Sequence, residues 1–332
     1  MLSRIKIKKL FNLYDYDINL VNSDGSKIKF ITAPNGFGKT TILDFIDSVM
    51  KRDFECLFRM PFEKFILYYN EESLDAVYQV VIVRKDEKSQ AVDTDFNITL
   101  SKVLEVSLIY LTDCNETLIE CNKVILHPDG LMVTEGNTGN TEMFFAHRTS
   151  YYLTDKRLHK LKTDVDKKIL SLGVFSMSQY VEKMKEILES PVKSKENKDR
   201  IEAFKRIIDR CEFANKHLEI DKRFGIRFVA DDALETKLSF DQLSSGEKHI
   251  IIQVFELLFL AKEGTLVLID EPELSLHMMW QMNYLKNLEE MVALRGFQCI
   301  IATHSPQIFN SLWSKSVDLF SIANQKDHDA IA

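Results

Sequence analysis

APNGFGKTT, residues 33–41, follows the apolar run from Lys27 to Thr32 and precedes Ile42, Phe45, Ile46 and Val49, which recur at helical spacing. A glycine-rich turn between a strand and a helix is a phosphate-binding arrangement. Its backbone N–H groups wrap anionic oxygens, and the helix offers the positive end of its dipole. The segment fits most of the pattern GxxxxGK[ST]. Gly36 and Gly38 let the backbone approach phosphates closely, with Asn35 and Phe37 in the same loop. Lys39 is expected to pair with the β and γ phosphates, Thr40 to place its hydroxyl on Mg²⁺, and Thr41 to bond the α phosphate. Ala33 stands where the pattern has its first glycine, so a turn needing positive φ there would be strained by the Cβ and the affinity weakened.

Further along, TLVLIDEPELSLH (265–277) reads as a buried strand that delivers two acids at its carboxyl end, where ligands of open α/β sheets bind. The division of labour is Asp270 on Mg²⁺ through water and Glu271 polarising the attacking water. In DQLSSGEKHIIIQVFELLFL (241–260), Ser244, Ser245, Gly246 and Glu247 open a helix read as strongly amphipathic. Serines at such a position are ordinarily N-caps, but a Ser-Gly helix start is also an anion site. His304 follows the apolar strand in IIATHSPQIF (300–309), where an imidazole is placed to sense a terminal phosphate.

Around these motifs, the 332 residues exceed one typical domain, and 45% hydrophobic with 28% charged residues describe an ordinary globular chain. Strand periodicity marks Ile5 to Leu20, and short β-branched runs make residues 54–150 a β-rich segment. From 151 to 223 the pattern turns helical, including SQYVEKMKEILES and the stretch EAFKRIIDRCEFANKHLEI, and predicts a helical arm or lobe. Sheet returns beyond Phe224, with TLVLID and QCIIAT as parallel strands separated by a helix around Trp280 to Leu294. The boundaries are therefore 1–53 and 224–332 for the two parts of an α/β head, with 54–150 and 151–223 between them. Five scattered cysteines read as reduced thiols in a cytoplasmic protein. The basic start MLSRIKIKKL is followed by no apolar run, and Ile250 to Ala261 is too short and polar to span a bilayer, so no membrane association is expected. Net charge is −7, yet residues 155–223 carry 18 Lys and Arg against 13 Asp and Glu, which reads first as a solvated helical face and second as a weak DNA contact.

The four elements in this order resemble the ABC ATPase family: Walker A at 33–41, signature LSSGE at 243–247, Walker B at 265–271 and the His switch at 304. The resemblance covers the N-terminal strands through Thr41 and most of Leu238 to Phe320, and no Q-loop glutamine is assigned. LSSGE in place of the transporters' LSGGQ, together with DEPELSLH and ATHSPQIF, is similar to the RecF, SMC and OLD side of that family and to the "AAA family ATPase" proteins of bacterial anti-phage systems such as Septu and PARIS. The resemblance implies an α/β P-loop NTPase head of ABC type with the β-rich segment and helical lobe inserted between Walker A and the signature. It also implies ATP and Mg²⁺ as ligands, and a homodimer or higher oligomer in which Ser244 and Gly246 of one copy meet the γ phosphate of ATP held by the other. Only 28 residues follow His304, too few for the nuclease domain of OLD proteins, so the expectation is a separate effector protein, a nuclease or toxin. A DNA-repair ATPase of RecF or SMC character is the alternative, and a transporter's nucleotide-binding subunit the third reading.

Overall fold

The computed structural model describes residues 1–71, 76–88, 100–112, 117–126, 132–135, 150–154, 177–190, 194–309 and 312–323. In chain order the elements are β1 (Leu2–Leu10), β2 (Tyr14–Asn19), β3 (Ile28–Thr32), α1 (Lys39–Lys51), α2 (Glu55–Arg59), β4 (Lys64–Glu71), β5 (Ala76–Lys88) and β6 (Leu100–Thr112). They continue with β7 (Thr117–Leu126), β8 (Met132–Glu135), β9 (Ser150–Thr154), α3 (Met177–Glu189), α4 (Ser194–Arg210), β10 (Lys216–Asp221), β11 (Gly225–Ala230) and β12 (Lys237–Leu238). The last are α5 (Ser245–Phe255), β13 (Leu266–Asp270), α6 (Met278–Arg295), β14 (Gln298–Thr303), α7 (Pro306–Phe309) and β15 (Ser316–Asp318).

A five-stranded parallel sheet in the order β15-β3-β14-β13-β9 forms the middle layer. Its central strands β3, β14 and β13 put apolar residues on both faces because both faces are covered. Phe30, Val267, Ile269, Cys299 and Ile301 enter one core cluster, and Ile31, Leu266, Leu268, Ile300 and Ala302 enter the other. On the second side lies the antiparallel sheet β2-β1-β4-β5-β6-β7-β8, with α1 packed between the two sheets through Ile42, Leu43, Phe45, Ile46 and Val49. On the first side α3, α4, α5 and α6 pack together through Tyr180, Met184, Phe204, Ile207, Phe255, Leu285 and Leu288. A small antiparallel sheet, β10-β11-β12, adjoins them.

Two local expectations are corrected. The segment 151–223 is not helical throughout: Ser150–Thr154 is a parallel edge strand on β13, α4 stops at Arg210, and Lys216–Asp221 is a strand of the small sheet. The cause of the second change is local. Glu212 and Asn215 sit at φ 47° and 55°, which breaks the helix, and Leu218 and Ile220 then alternate with His217 and Glu219 at strand period. Helix α5 is not amphipathic either, because every residue from His249 to Phe255 is buried. Three consecutive isoleucines leave no polar face, and the helix is enclosed by its neighbours.

Phe45 is wholly buried and meets the rings of Phe62 and Phe65 edge-on at 5.2 and 5.4 Å. Phe45→Ala is expected to lower unfolding free energy by about 3–5 kcal/mol, read from urea denaturation midpoints.

Candidate nucleotide-binding site

Three central strands deliver the site. Because β3, β14 and β13 are parallel and in register, their carboxyl ends lie side by side, and the segments that leave them are the glycine loop, the His304 turn and the Asp270–Glu271 pair. Gly36 at φ 90° and Gly38 at φ 84° occupy the left-handed region. A Cβ on Gly38 would also sit 2.8 Å from Leu10 Cδ2, so this loop position excludes a side chain on two grounds. Ala33, by contrast, does not adopt positive φ, and the strain expected from its missing glycine is absent; its carbonyl turns inward to accept from Lys39 Nζ at 2.9 Å.

Lys39 is buried and donates also to Pro34 O at 3.4 Å, which leaves the third hydrogen of its ammonium for an external acceptor. Asn35 and Gly36 at the loop tip are exposed. Phe37 faces away from the loop mouth: its ring packs with Tyr14 at 5.3 Å and Phe320 at 5.4 Å, and its carbonyl accepts from the Tyr16 hydroxyl at 2.9 Å. Phe37 therefore anchors the loop, a role its sequence position alone does not reveal. Thr41 lies in the first turn of α1, partly exposed.

Thr40 Oγ1 donates to Asp270 Oδ2 at 2.9 Å, joining the start of α1 to the end of β13 across 230 residues of chain. A hydroxyl and a carboxylate this close are hard oxygen donors of the kind Mg²⁺ takes, alongside phosphate oxygens. The loop, Lys39 and this donor pair fit Mg²⁺ and a polyphosphate. Glu271 is held at φ 45°, a conformation unusual for a residue with a Cβ, and its N–H donates to Ala302 O at 2.8 Å. Its carboxylate is partly exposed, and Glu271 Oε1 lies 3.8 Å from His304 Nδ1.

Ser244 to Glu247 form a separate part. Ser244 Oγ accepts from the Glu247 N–H at 3.3 Å and Glu247 Oε2 accepts from the Ser244 N–H at 2.8 Å, a reciprocal capping box at the start of α5. Glu247 is buried and its other oxygen takes Lys216 Nζ from β10 at 2.9 Å. Its carboxylate is thus occupied within the fold, whereas Ser244 and Ser245 are exposed at the helix start. The structure gathers Lys39, Thr40, Asp270, Glu271 and His304 in one place and presents Ser244, Ser245 and Gly246 on a second element. Sequence reasoning passed over Glu273 and Tyr16. The first stands two residues beyond Glu271 in the same motif, and the second lies in a strand with no motif at all.

A strand-loop-helix phosphate loop and paired acids at parallel strand ends, beside an antiparallel sheet, form an α/β P-loop fold with the layout of an ABC-type head. Residues 151–310 match the family model described as "AAA domain, putative AbiEii toxin, Type IV TA system". Among curated relatives, the chain is 30% identical over 126 residues to Protein ea59 of Escherichia phage lambda, covering 34% of this chain and 24% of that protein. It is 36% identical over 97 residues to the "Retron Ec83 probable ATPase" of Escherichia coli, covering 26% of this chain and 18% of that protein. The matched regions thus span a quarter or less of those relatives' lengths. Among solved structures, an SMC head bound to the C-terminal winged-helix domain of ScpA shares the fold at a TM-score of 0.51 and 14% identity, over 93% of this chain and 91% of that one. The chain thus shares the fold of the SMC head, and its residues 151–310 are similar to an AAA domain. Among the described residues no helix is long and apolar enough to cross a membrane.

The capping box carries a pH signature. Burial pushes the Glu247 carboxyl upward, but the bonds from Lys216 and from the Ser244 backbone outweigh it and hold the group below its ordinary value of 4.5. A carboxyl depressed in the folded state contributes stability above the unfolded value, and that stability is lost as pH falls through 4.5 and below. Thermal midpoints of wild type and Lys216→Met are therefore expected to differ at neutral pH and to converge in acid.

Proposed function

We propose that the chain binds ATP with Mg²⁺ and hydrolyses it at an interface between two copies. The observation that carries this reading is the 2.9 Å bond from Thr40 to Asp270, with Lys39 behind it and Glu271 and His304 beside it. In this reading the loop N–H groups and Lys39 hold the β and γ phosphates, and Thr40 and Asp270 hold the cation. When bound, Mg²⁺ would offset the negative charge of the phosphate oxygens. Glu271 orients a water for in-line attack, and His304 contacts the terminal phosphate. Ser244 and Gly246 of a second copy close the site from the opposite side, using the exposed start of α5 as an anion-binding end. Exposed Leu274, Met278, Met279 and Met282, in the turn and helix beyond Glu271, support a partner surface at this point.

Biologically, the reading is a cytoplasmic ATP-driven switch or scaffold in a bacterial anti-phage defence complex, acting on a separate nuclease or toxin. It is supported by the similarity to a retron's probable ATPase and by the LSSGE and DEPELSLH motifs. The DNA-repair alternative loses support in the described helices. Lys183, Lys185, Arg200, Arg206 and Arg210 each pair with a glutamate on α3, α4 or α6, which reduces the field that a phosphate backbone would meet.

Glu271→Gln is expected to lower phosphate release by about 100-fold or more while leaving nucleotide binding intact, and to lengthen the life of an ATP-dependent dimer in sedimentation runs. Unchanged turnover in that variant would remove Glu271 from the chemistry. Titration with duplex DNA at about 50 and 200 mM salt is expected to show no specific complex; tight binding that collapses at the higher salt would restore the DNA-repair reading.

A further inference from the structure

Glu273 is a buried carboxylate, 7% exposed, in the 3-10 turn Pro272–Ser275 that follows Glu271. Its Oε1 accepts from Thr303 Oγ1 at 2.8 Å and from the His304 backbone N–H at 3.0 Å, and lies 3.1 Å from His304 Nδ1. Its Oε2 is buried without a hydrogen-bond partner among the described residues, so the group's bonding is directed at the His304 turn. The two acids beside this imidazole therefore differ: Glu273 is within bonding distance of Nδ1, whereas Glu271 Oε1 stands off at 3.8 Å.

A second bridge joins the same two turns. Gln281 Nε2 donates to Glu273 O at 3.2 Å and to Leu276 O at 3.0 Å, while Gln281 Oε1 accepts from Ser305 Oγ at 3.1 Å. Glu273 is thus fixed at its backbone as well as at its carboxylate. An ionised carboxylate only accepts, so Glu273 Oε1 at 3.1 Å favours the ring form that carries its hydrogen on Nδ1. The half-exposed ring then has Nε2 left for an outside partner.

We infer that Glu273 is a positioning residue: it holds His304 with Nδ1 protonated and the ring oriented so that Nε2 is presented to the terminal phosphate. The inference rests on the ATP site proposed above for its functional meaning, but the protonation pattern it requires belongs to the protein alone.

The test pairs nucleotide-free NMR with kinetics. In ¹⁵N-histidine-labelled protein, with the His304 signals identified by their loss in His304→Asn, Nδ1 is expected to show a protonated-type shift. That pattern should persist in Glu273→Gln, which keeps an acceptor oxygen, and give way to the Nε2–H form in Glu273→Met. An unprotonated Nδ1 in wild type, or unchanged His304 shifts in Glu273→Met, would overturn the proposal; if Glu273→Met does not fold, the wild-type spectrum decides alone. Kinetically, Glu273→Met is expected to lose roughly 10- to 100-fold in kcat with little change in KM, and to add no further loss in a His304→Ala background. Independent, additive losses would contradict a role exerted through His304. A wild-type chain that releases no phosphate would remove the ATPase reading, while the NMR result would still decide how Glu273 holds His304.

Discussion

Everything at the site depends on the register of three parallel strands. Ile31 pairs with Ala302 and Ala302 with Asp270, so the carboxyl ends of β3, β14 and β13 lie along one row. The glycine loop, the His304 turn and Glu271 depart from that row. The register is held because both faces of these strands are buried, in opposite core clusters. A slip of one residue would exchange the two faces and drive each side chain into the wrong core. Separation in sequence matters little under this constraint, and Thr40 meets Asp270 across most of the chain.

The signature segment obeys a different constraint. Beyond its exposed start, helix α5 is enclosed by its neighbours from His249 to Phe255; Gln253 donates to the Tyr284 hydroxyl of α6, and Glu256, just past the helix, accepts from the Tyr180 hydroxyl of α3. Glu256 begins a π-helical turn that runs to Leu260, a local widening of the helix often found at functional sites. The exposed serines at one end of α5 are therefore joined through the helix to the packed layer around its body.

The loop, the paired acids and His304 were legible because each stands at a junction of an apolar run with a polar turn, and periodicity marks such junctions directly. The strand-helix-strand order from Thr265 to Thr303 was legible for the same reason. Other features depend on tertiary contact. Phe37 reads as a loop residue beside phosphate, yet its ring is committed to Tyr14 and Phe320. Glu247 reads as part of an anion site, yet Lys216 and the Ser244 N–H occupy its carboxylate. The penalty expected for Ala33 assumed a positive φ that the pattern implies and this backbone does not adopt. The strand at Lys216–Asp221 was hidden by a helical pattern running into it, and only the backbone turns at Glu212 and Asn215 separate the two.

The central claim is that one site is assembled from two copies, Lys39 supplied by one and Ser244 by the other. Subunit mixing tests it directly. Lys39→Ala and Ser244→Arg, each inactive alone, should regain activity when combined one to one, because mixed dimers hold one intact site; about a quarter of wild-type phosphate release is expected. A mixture no more active than the two variants measured separately would contradict the shared site.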